Sequence, residues 1–244
     1  MVAIESVALD TASPKVAMLV DRGHGMNQSG ADAALRSALT AFVDTLAPQH
    51  EIGIITIAPQ VLRREDFTTS REDLKDAISG IFTEHETAAK LMDGMFETWD
   101  RRFEDDDLFP VFVLVVAEGA DDSSYFSQDE YFEFLTDLLR RNGTIHAVAL
   151  SRGLSIPGSA LPQLSQHMAE NTGGSYQFIN QVTGLSGALT EVAEQINDHA
   201  AQIAARYQIL FEAPEQQSQV SVRLSRAGLS LQLFADRRLP PSPD

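Results

Sequence analysis

The sequence has no cysteine. That excludes disulfides, thiol nucleophiles and cysteine-ligated zinc, and it leaves the redox compartment unassigned. Positive charge is scarce: 18 Lys and Arg stand against 35 Asp and Glu, a formal net charge of −17. Nucleic acid is therefore excluded as a partner, because phosphate binding needs clustered Lys and Arg, and adhesion to anionic membrane surfaces is disfavoured. No apolar run approaches the roughly 18 residues of a membrane span, so membrane insertion is not expected. The opening MVAIESVALDTASP has no basic segment followed by an apolar core, as a signal peptide would. With Met1 as the native start, the expected location is the cytoplasm. Catalytic signatures are missing too. The six histidines (24, 50, 85, 146, 167 and 199) form no His-x-x-x-His or His-Glu pair, which leaves zinc catalysis without support. No Gly-x-Ser-x-Gly elbow, phosphate loop or internal repeat occurs. Gly23-x-Gly25 follows a strand pattern, but Gln28 occupies the place of the third glycine in a dinucleotide fingerprint, and no acid follows the second strand.

What is present is a regular alternation. Forty-three per cent of the 244 residues are hydrophobic, enough for one large domain with a small appendage. Val16–Val20 is an unbroken apolar run that stops at Asp21, crosses two glycines and enters an Ala/Leu-rich helix at about Ser29, with Ser29-x-x-Asp32 as its expected start box. Leu35, Leu39, Phe42, Val43 and Leu46 repeat at helical spacing up to Pro48. Glu51–Ala58 reads as a buried strand, and the more polar Val61–Phe67 as an edge strand. Ser70-x-x-Asp73 opens a short helix and Thr87 the next, whose Met and aromatic stripe (Leu91, Met92, Met95, Phe96, Trp99) reads as core. Glu104–Asp107 is an acidic loop, with calcium binding as the minor reading. Val111–Val116 is the most apolar strand and therefore central; Ser127-x-x-Glu130 caps the helix after it. Thr144–Leu150, a helix over Leu161–Asn171, Ser175–Ile179 and a long amphipathic helix from Leu185 to Ile203 complete the series. The order β-α-β-β-α-α-β-α-β-α-β-α predicts an α/β fold, a doubly wound, mainly parallel sheet covered on both faces. Beyond it, Tyr207–Glu212, Gln219–Ser225 and Leu229–Phe234 alternate apolar and polar residues, as in a small antiparallel β appendage. The expected divisions are an N-terminal extension (1–14), the main domain (15–206), the appendage (207–237) and a tail (238–244).

Several passages, in order, resemble a von Willebrand factor type A domain. The family's first strand ends in Asp-x-Ser-x-Ser; here the frame reads Asp21-Arg22-Gly23-His24-Gly25. Thr87 follows a polar loop where the family places its threonine. VLVVAEGADDSS is similar to the family's strand-Thr-Asp-Gly loop, with Ala117 for the threonine and Glu118 for the aspartate. IHAVALSRG and LSQHMAENTGGSYQFI resemble the strand, helix, Thr-Gly-Gly and strand that follow. The tail from Ala205 to Arg237 is similar to that of a bacterial, acidobacterial-type branch.

The resemblance implies a Rossmann-like sheet and a metal-ion-dependent adhesion site (MIDAS), in which serine and threonine hydroxyls hold Mg²⁺ and a ligand carboxylate completes its shell. Carried over by position, Asp21, Thr87 and Glu118 would be the metal residues, while Gly23 and Gly25 supply no ligand. Mg²⁺ demands near-octahedral oxygen coordination, so the loss of two hydroxyls makes the site degenerate and the expectation metal-free. The first reading is thus a non-catalytic protein-interaction module with no cofactor. Its expected partner-binding rim is Arg22, His24, Glu86, Glu118, Asp121 and Asp122, at the carboxyl ends of the strands. Two alternatives stand: an adhesion domain with weak Mg²⁺ or Ca²⁺ binding, and a carboxylate-based hydrolase using Asp21 and Glu118. The resemblance also implies export, for a chain whose leader has been removed.

Overall fold

The computed structural model describes residues 4–9, 13–85, 87–103, 109–151, 159–204 and 207–211. Strands β2 (Lys15–Val20), β3 (Glu51–Ile57), β4 (Val61–Thr68), β5 (Pro110–Ala117), β6 (Thr144–Leu150) and β7 (Tyr176–Ile179) form one sheet in the order β4-β3-β2-β5-β6-β7. All pairings are parallel except β3 with β4. The antiparallel strand is the polar edge, as its sequence predicts. The strands with continuous apolar runs lie in the middle, where both faces are covered: β5 and β6 are buried at every position.

Alternation along the strands divides the core in two. Val16, Met18, Val20, Val111, Val113 and Val115 face one side, with helices α2 (Asp32–Thr45), α3 (Arg71–Ser79) and α7 (Leu185–Ala204). Ala17, Leu19, Phe112, Leu114 and Val116 face the other, with α4 (Leu91–Arg102), α5 (Gln128–Arg140) and α6 (Ala160–Thr172). Met92 and Met95 of α4 are fully buried in that second core, and Phe96 and Trp99 pack against it. The helix stops are local. Ser70 and Ser127 accept the backbone N–H groups of Asp73 and Glu130, the latter in a full capping box, and Gly173 ends α6 at φ +73. Asn142, at φ +55, takes the turn after α5.

Three local readings differ from the structure. The segment after β2 is a separate short helix, α1 (His24–Gln28), and α2 begins only at Asp32. Ser29 therefore caps nothing; its hydroxyl donates to the Gly25 carbonyl, while Asp32 accepts the Thr83 N–H from a distant loop. Thr87 lies in the loop ahead of α4, which starts at Leu91. Finally, the N-terminal extension and the start of the appendage belong together: β1 (Ile4–Leu9) pairs antiparallel with β8 (Tyr207–Phe211) in a two-stranded sheet. The expected strands over 219–225 and 229–234, the acidic run 104–107 and the tail lie outside the described residues. Among the described residues, no helix is long and apolar enough to cross a membrane.

Candidate functional site

Strand order reverses at β2, which has β3 on one side and β5 on the other. The carboxyl ends of β2 and β5 thus form the switch point where open α/β sheets bind ligands. Asp21 directly follows β2, and Ala117 and Glu118 sit at the end of β5. The two ends are tied together: the Asp21 N–H donates to the Val115 carbonyl at 2.8 Å, and the Ala117 N–H donates to Asp21 Oδ2 at 3.1 Å. Asp21 Oδ1 accepts the Gly23 N–H at 2.7 Å. Both carboxylate oxygens are thus engaged by backbone, and the residue is only 2% exposed. Burial outweighs those two amides and pushes its pKa up to about 6.

A third loop is fastened to α1 and α2 through its described residues 81–85 and 87. Arg22 pairs with Glu84 at 2.5 Å, and the Glu84 N–H donates to the Arg22 carbonyl at 2.6 Å. Asn27 donates to the Thr83 hydroxyl, and Arg36 to the Ile81 carbonyl. The His24 N–H reaches the Thr87 carbonyl at 2.7 Å, and His24 Nδ1 lies 2.6 Å from the His85 carbonyl. A carbonyl only accepts, so Nδ1 carries a proton and donates it to His85.

The two glycines owe their place to space. Gly23 has an ordinary extended backbone, φ −77 and ψ −170, yet a β-carbon there would stand 2.5 Å from the Thr87 carbonyl oxygen. A β-carbon on Gly25 would stand 2.6 Å from the Glu118 carbonyl oxygen. Backbone carbonyls from the two flanking loops thus press against the positions at which side chains would begin.

Beside them opens a crevice of about 360 Å³, lined by polar Asp21, His24, Thr87 and Glu118 and by apolar Ala88, Ala120 and Leu161 among others. Thr87 Oγ1 is buried there without a hydrogen-bond partner. Glu118, 6% exposed, accepts from the Ser151 hydroxyl through Oε2 at 3.1 Å. Ser159, ahead of α6, holds the next loop residue by accepting the Gly119 N–H at 2.7 Å.

The expected rim separates into different roles. His24 and Glu118 line the crevice. Arg22 is committed to Glu84. Asp121 turns into the fold, where it accepts the Leu91 N–H at the start of α4 at 2.8 Å and the Ser123 hydroxyl at 2.7 Å; burial raises its pKa. Asp122 is exposed, with its N–H on the Ala89 carbonyl. Glu86 lies outside the described residues. Sequence reasoning passed over His85, Ser151 and Ser159; only Ser151, directly after a buried strand, carries a positional signal. Among the described residues, no group of three or more His, Cys, Asp or Glu side chains is placed to hold a metal ion.

No protein-family model matches the sequence, and no curated protein matches it. Solved structures do. A von Willebrand factor type A protein from Catenulispora acidiphila matches with a TM-score of 0.56 at 17% identity, over 78% of this chain and 44% of its own. The fold is that of a von Willebrand factor type A domain. Proximal thread matrix protein 1 of the mussel byssus, solved with a zinc-occupied MIDAS motif, matches with a TM-score of 0.58 at 14% identity, over 77% of this chain and 48% of its own. The von Willebrand domain of a type V pili tip protein from Porphyromonas gingivalis matches with a TM-score of 0.54 at 10% identity, over 78% of this chain and 97% of its own. The chain therefore spans less than half the length of the first two proteins. At these identities the likeness concerns the von Willebrand fold, and the chemistry of the crevice is argued from this chain's own residues.

Proposed function

We propose that this domain is a non-catalytic protein-interaction module that engages a protein partner at the carboxyl ends of β2 and β5 without a bound metal. The observation that carries the metal-free reading is the closure of the loops. The two positions that would bear ligand hydroxyls are glycines, and carbonyl oxygens stand 2.5 and 2.6 Å from where their β-carbons would be. Asp21, the acid best placed to add charge, has both oxygens on backbone amides. These residues do not fit Mg²⁺, which needs several oxygen ligands in near-octahedral array. The non-catalytic reading draws on the same geometry: Asp21 is 2% exposed and both its oxygens are engaged by backbone amides, which commits it to holding the loops together.

The test is thermal unfolding with added Mg²⁺ or Ca²⁺. A ligand at a hundred times its Kd adds about 2.7 kcal/mol, so a working site would raise the melting temperature visibly. No change is expected at millimolar metal. A rise that Thr87→Ala abolishes would favour the second reading, a weakly metal-dependent adhesion domain. The unpartnered Thr87 hydroxyl is the feature in that reading's favour.

A further inference from the structure

The loop that leaves β5 carries an aromatic side chain with no part in the fold. Tyr125 is 95% exposed, and among the described residues its side chain makes no hydrogen bond or ring contact. Its neighbours are the reverse. Asp121 and Ser123 hold the start of α4, through the Leu91 N–H at 2.8 Å and the Asp93 N–H at 3.0 Å, and the Ser124 N–H returns to Asp93 Oδ1 at 2.9 Å. On the other side the Phe126 ring lies against Phe96 and Tyr131, at 5.8 and 6.4 Å between centroids, and Ser127 forms the capping box of α5. The fold thus fixes both flanks of Tyr125 and leaves the ring itself in solvent. An exposed tyrosine on a held backbone loses little freedom on binding, which suits it to anchor an interface.

Charge selects the partner. Residues 103–139 contain eleven Asp and Glu and no Lys, Arg or His. Three of those acids are exposed beside the anchor: Asp122, three positions before it, and Asp129 and Glu133 on α5. Their carboxylates have no hydrogen bond or ion pair among the described residues. Phe132, 47% exposed, shares the side of α5 on which Asp129 stands. Resting on the reading of the strand ends as the partner's face, we infer that Tyr125, with Asp122 and Asp129, is a docking site for an arginine-bearing segment of the partner protein. An apolar segment would cover these carboxylates unpaired, at a desolvation cost, and an anionic one would meet a net charge of −17. A guanidinium stacks on an aromatic face and binds an open carboxylate through two parallel hydrogen bonds, which an ammonium does not do.

The probe is acetyl-Arg-Gly-Arg-amide, titrated against the labelled full chain and followed through the backbone amide resonances of Tyr125, Phe126 and Gln128. The same peptide with lysine, or with citrulline, which keeps the shape of arginine and loses its charge, serves as control. The expected result is a saturable shift with the arginine peptide that weakens as salt is added, a smaller one with lysine and none with citrulline. Tyr125→Ala should weaken binding about fivefold at an unchanged melting temperature, and Tyr125→Phe, which keeps the ring face, should retain it. Asp122→Asn with Asp129→Asn should weaken it by a similar factor of about five, whereas Glu194→Gln, an exposed acid on α7 across the sheet, should not. No saturable shift up to about 10 mM, a decade weaker than a millimolar site, overturns the arginine site. So does wild-type affinity in Tyr125→Ala, or an equal response to the lysine or the citrulline peptide.

A peptide-display selection on the full chain, counter-selected on Tyr125→Ala and on Ala120→Trp, which fills the exposed wall of the crevice, separates this failure from that of the broader reading. Arginine-rich peptides that Tyr125→Ala loses support both. Peptides lost on Ala120→Trp but not on Tyr125→Ala, or lost on Tyr125→Ala without carrying arginine, overturn the arginine site and leave the strand-end reading standing. The absence of any peptide that depends on either position overturns both.

Discussion

Replacing Gly23 and Gly25 with serine rebuilds the hydroxyl pattern of the metal-binding loop, and the structure predicts that the rebuilt loop is worse, with or without Mg²⁺. A β-carbon on Gly23 starts 2.5 Å from the Thr87 carbonyl oxygen, against about 3.4 Å for ordinary contact. The carbonyl would have to retreat by about 0.9 Å, and its 2.7 Å hydrogen bond from the His24 N–H would then exceed hydrogen-bonding distance. Losing that bond costs about 1 kcal/mol, and crowding a packed site costs a further 1–3 kcal/mol or so. At about 2–4 °C per kcal/mol for a domain of this size, each substitution should lower the melting temperature by about 4–16 °C. Gly25→Ser meets the Glu118 carbonyl at 2.6 Å and the Ala117 β-carbon at 3.1 Å, so its cost should be similar. Because the clash begins at the β-carbon, Gly23→Ala and Gly25→Ala should be as damaging as the serines. Thermal unfolding by circular dichroism, with and without millimolar Mg²⁺, reads all four. Serine variants as stable as the wild type would refute the closure argument. So would a Mg²⁺-dependent recovery seen with serine and not with alanine, because it would mean that the loops part readily and the metal site was only dormant.

Asp21 makes stability pH-dependent in an unusual sense. Its folded-state pKa of about 6 lies above its ordinary 3.8, so between those values the folded chain holds a proton that the unfolded chain has lost. Stability from this residue is therefore present at low pH and falls as pH rises through the window, by about 3 kcal/mol in all. Urea unfolding of wild type and Asp21→Asn should show that difference opening between about pH 4 and pH 6, and a gap independent of pH would refute it. Asp121→Ala should cost about 1 kcal/mol by uncapping α4, with Asp121→Asn recovering most of it; equal stability of all three would remove the capping role. Deleting residues 207–244 should raise amide exchange across β1, whose partner is β8, and unchanged exchange there would show that the pairing contributes no protection.

Most of the main sheet could be read from the chain because its strands lie in a two-sided core. Val111–Val116 and Val16–Val20 announce themselves as unbroken apolar runs, and Ser70 and Ser127 are caps whose partners lie three residues on. The misreadings share a cause in long-range contact. Ser29-x-x-Asp32 has the composition of a start box, but Asp32 is claimed by Thr83 N–H and Ser29 by the turn behind it. Asp121 reads as a surface acid and is drawn inward by Leu91, thirty positions earlier. β1 and β8 sit at opposite ends of the chain, and nothing local marks either as the other's partner. The glycines of the first loop are legible as departures from a pattern. Their meaning depends on carbonyls from two other loops, which the loop's own sequence does not contain.

Asp21 shows why a familiar residue in a familiar place does not carry a familiar role with it. A buried carboxylate whose pKa is raised by burial is a cost to the fold, and it persists because it satisfies the Gly23 and Ala117 amides that would otherwise be left open at the junction of β2 and β5. In that position it joins two strand ends directly, a task that needs no ion. Asp21→Ala would therefore weaken any function of the crevice by loosening its frame, and lost partner binding in that variant would not implicate a metal. Substitutions that discriminate must leave the frame intact. Thr87→Ser and Thr87→Val alter an oxygen without a hydrogen-bond partner, and Ala120→Trp alters only an exposed wall. A partner whose affinity follows the Thr87 hydroxyl and the crevice volume, at constant melting temperature and without response to chelator, is what a metal-free interaction site requires. Loss of binding on chelation, with melting temperature unchanged, would contradict it.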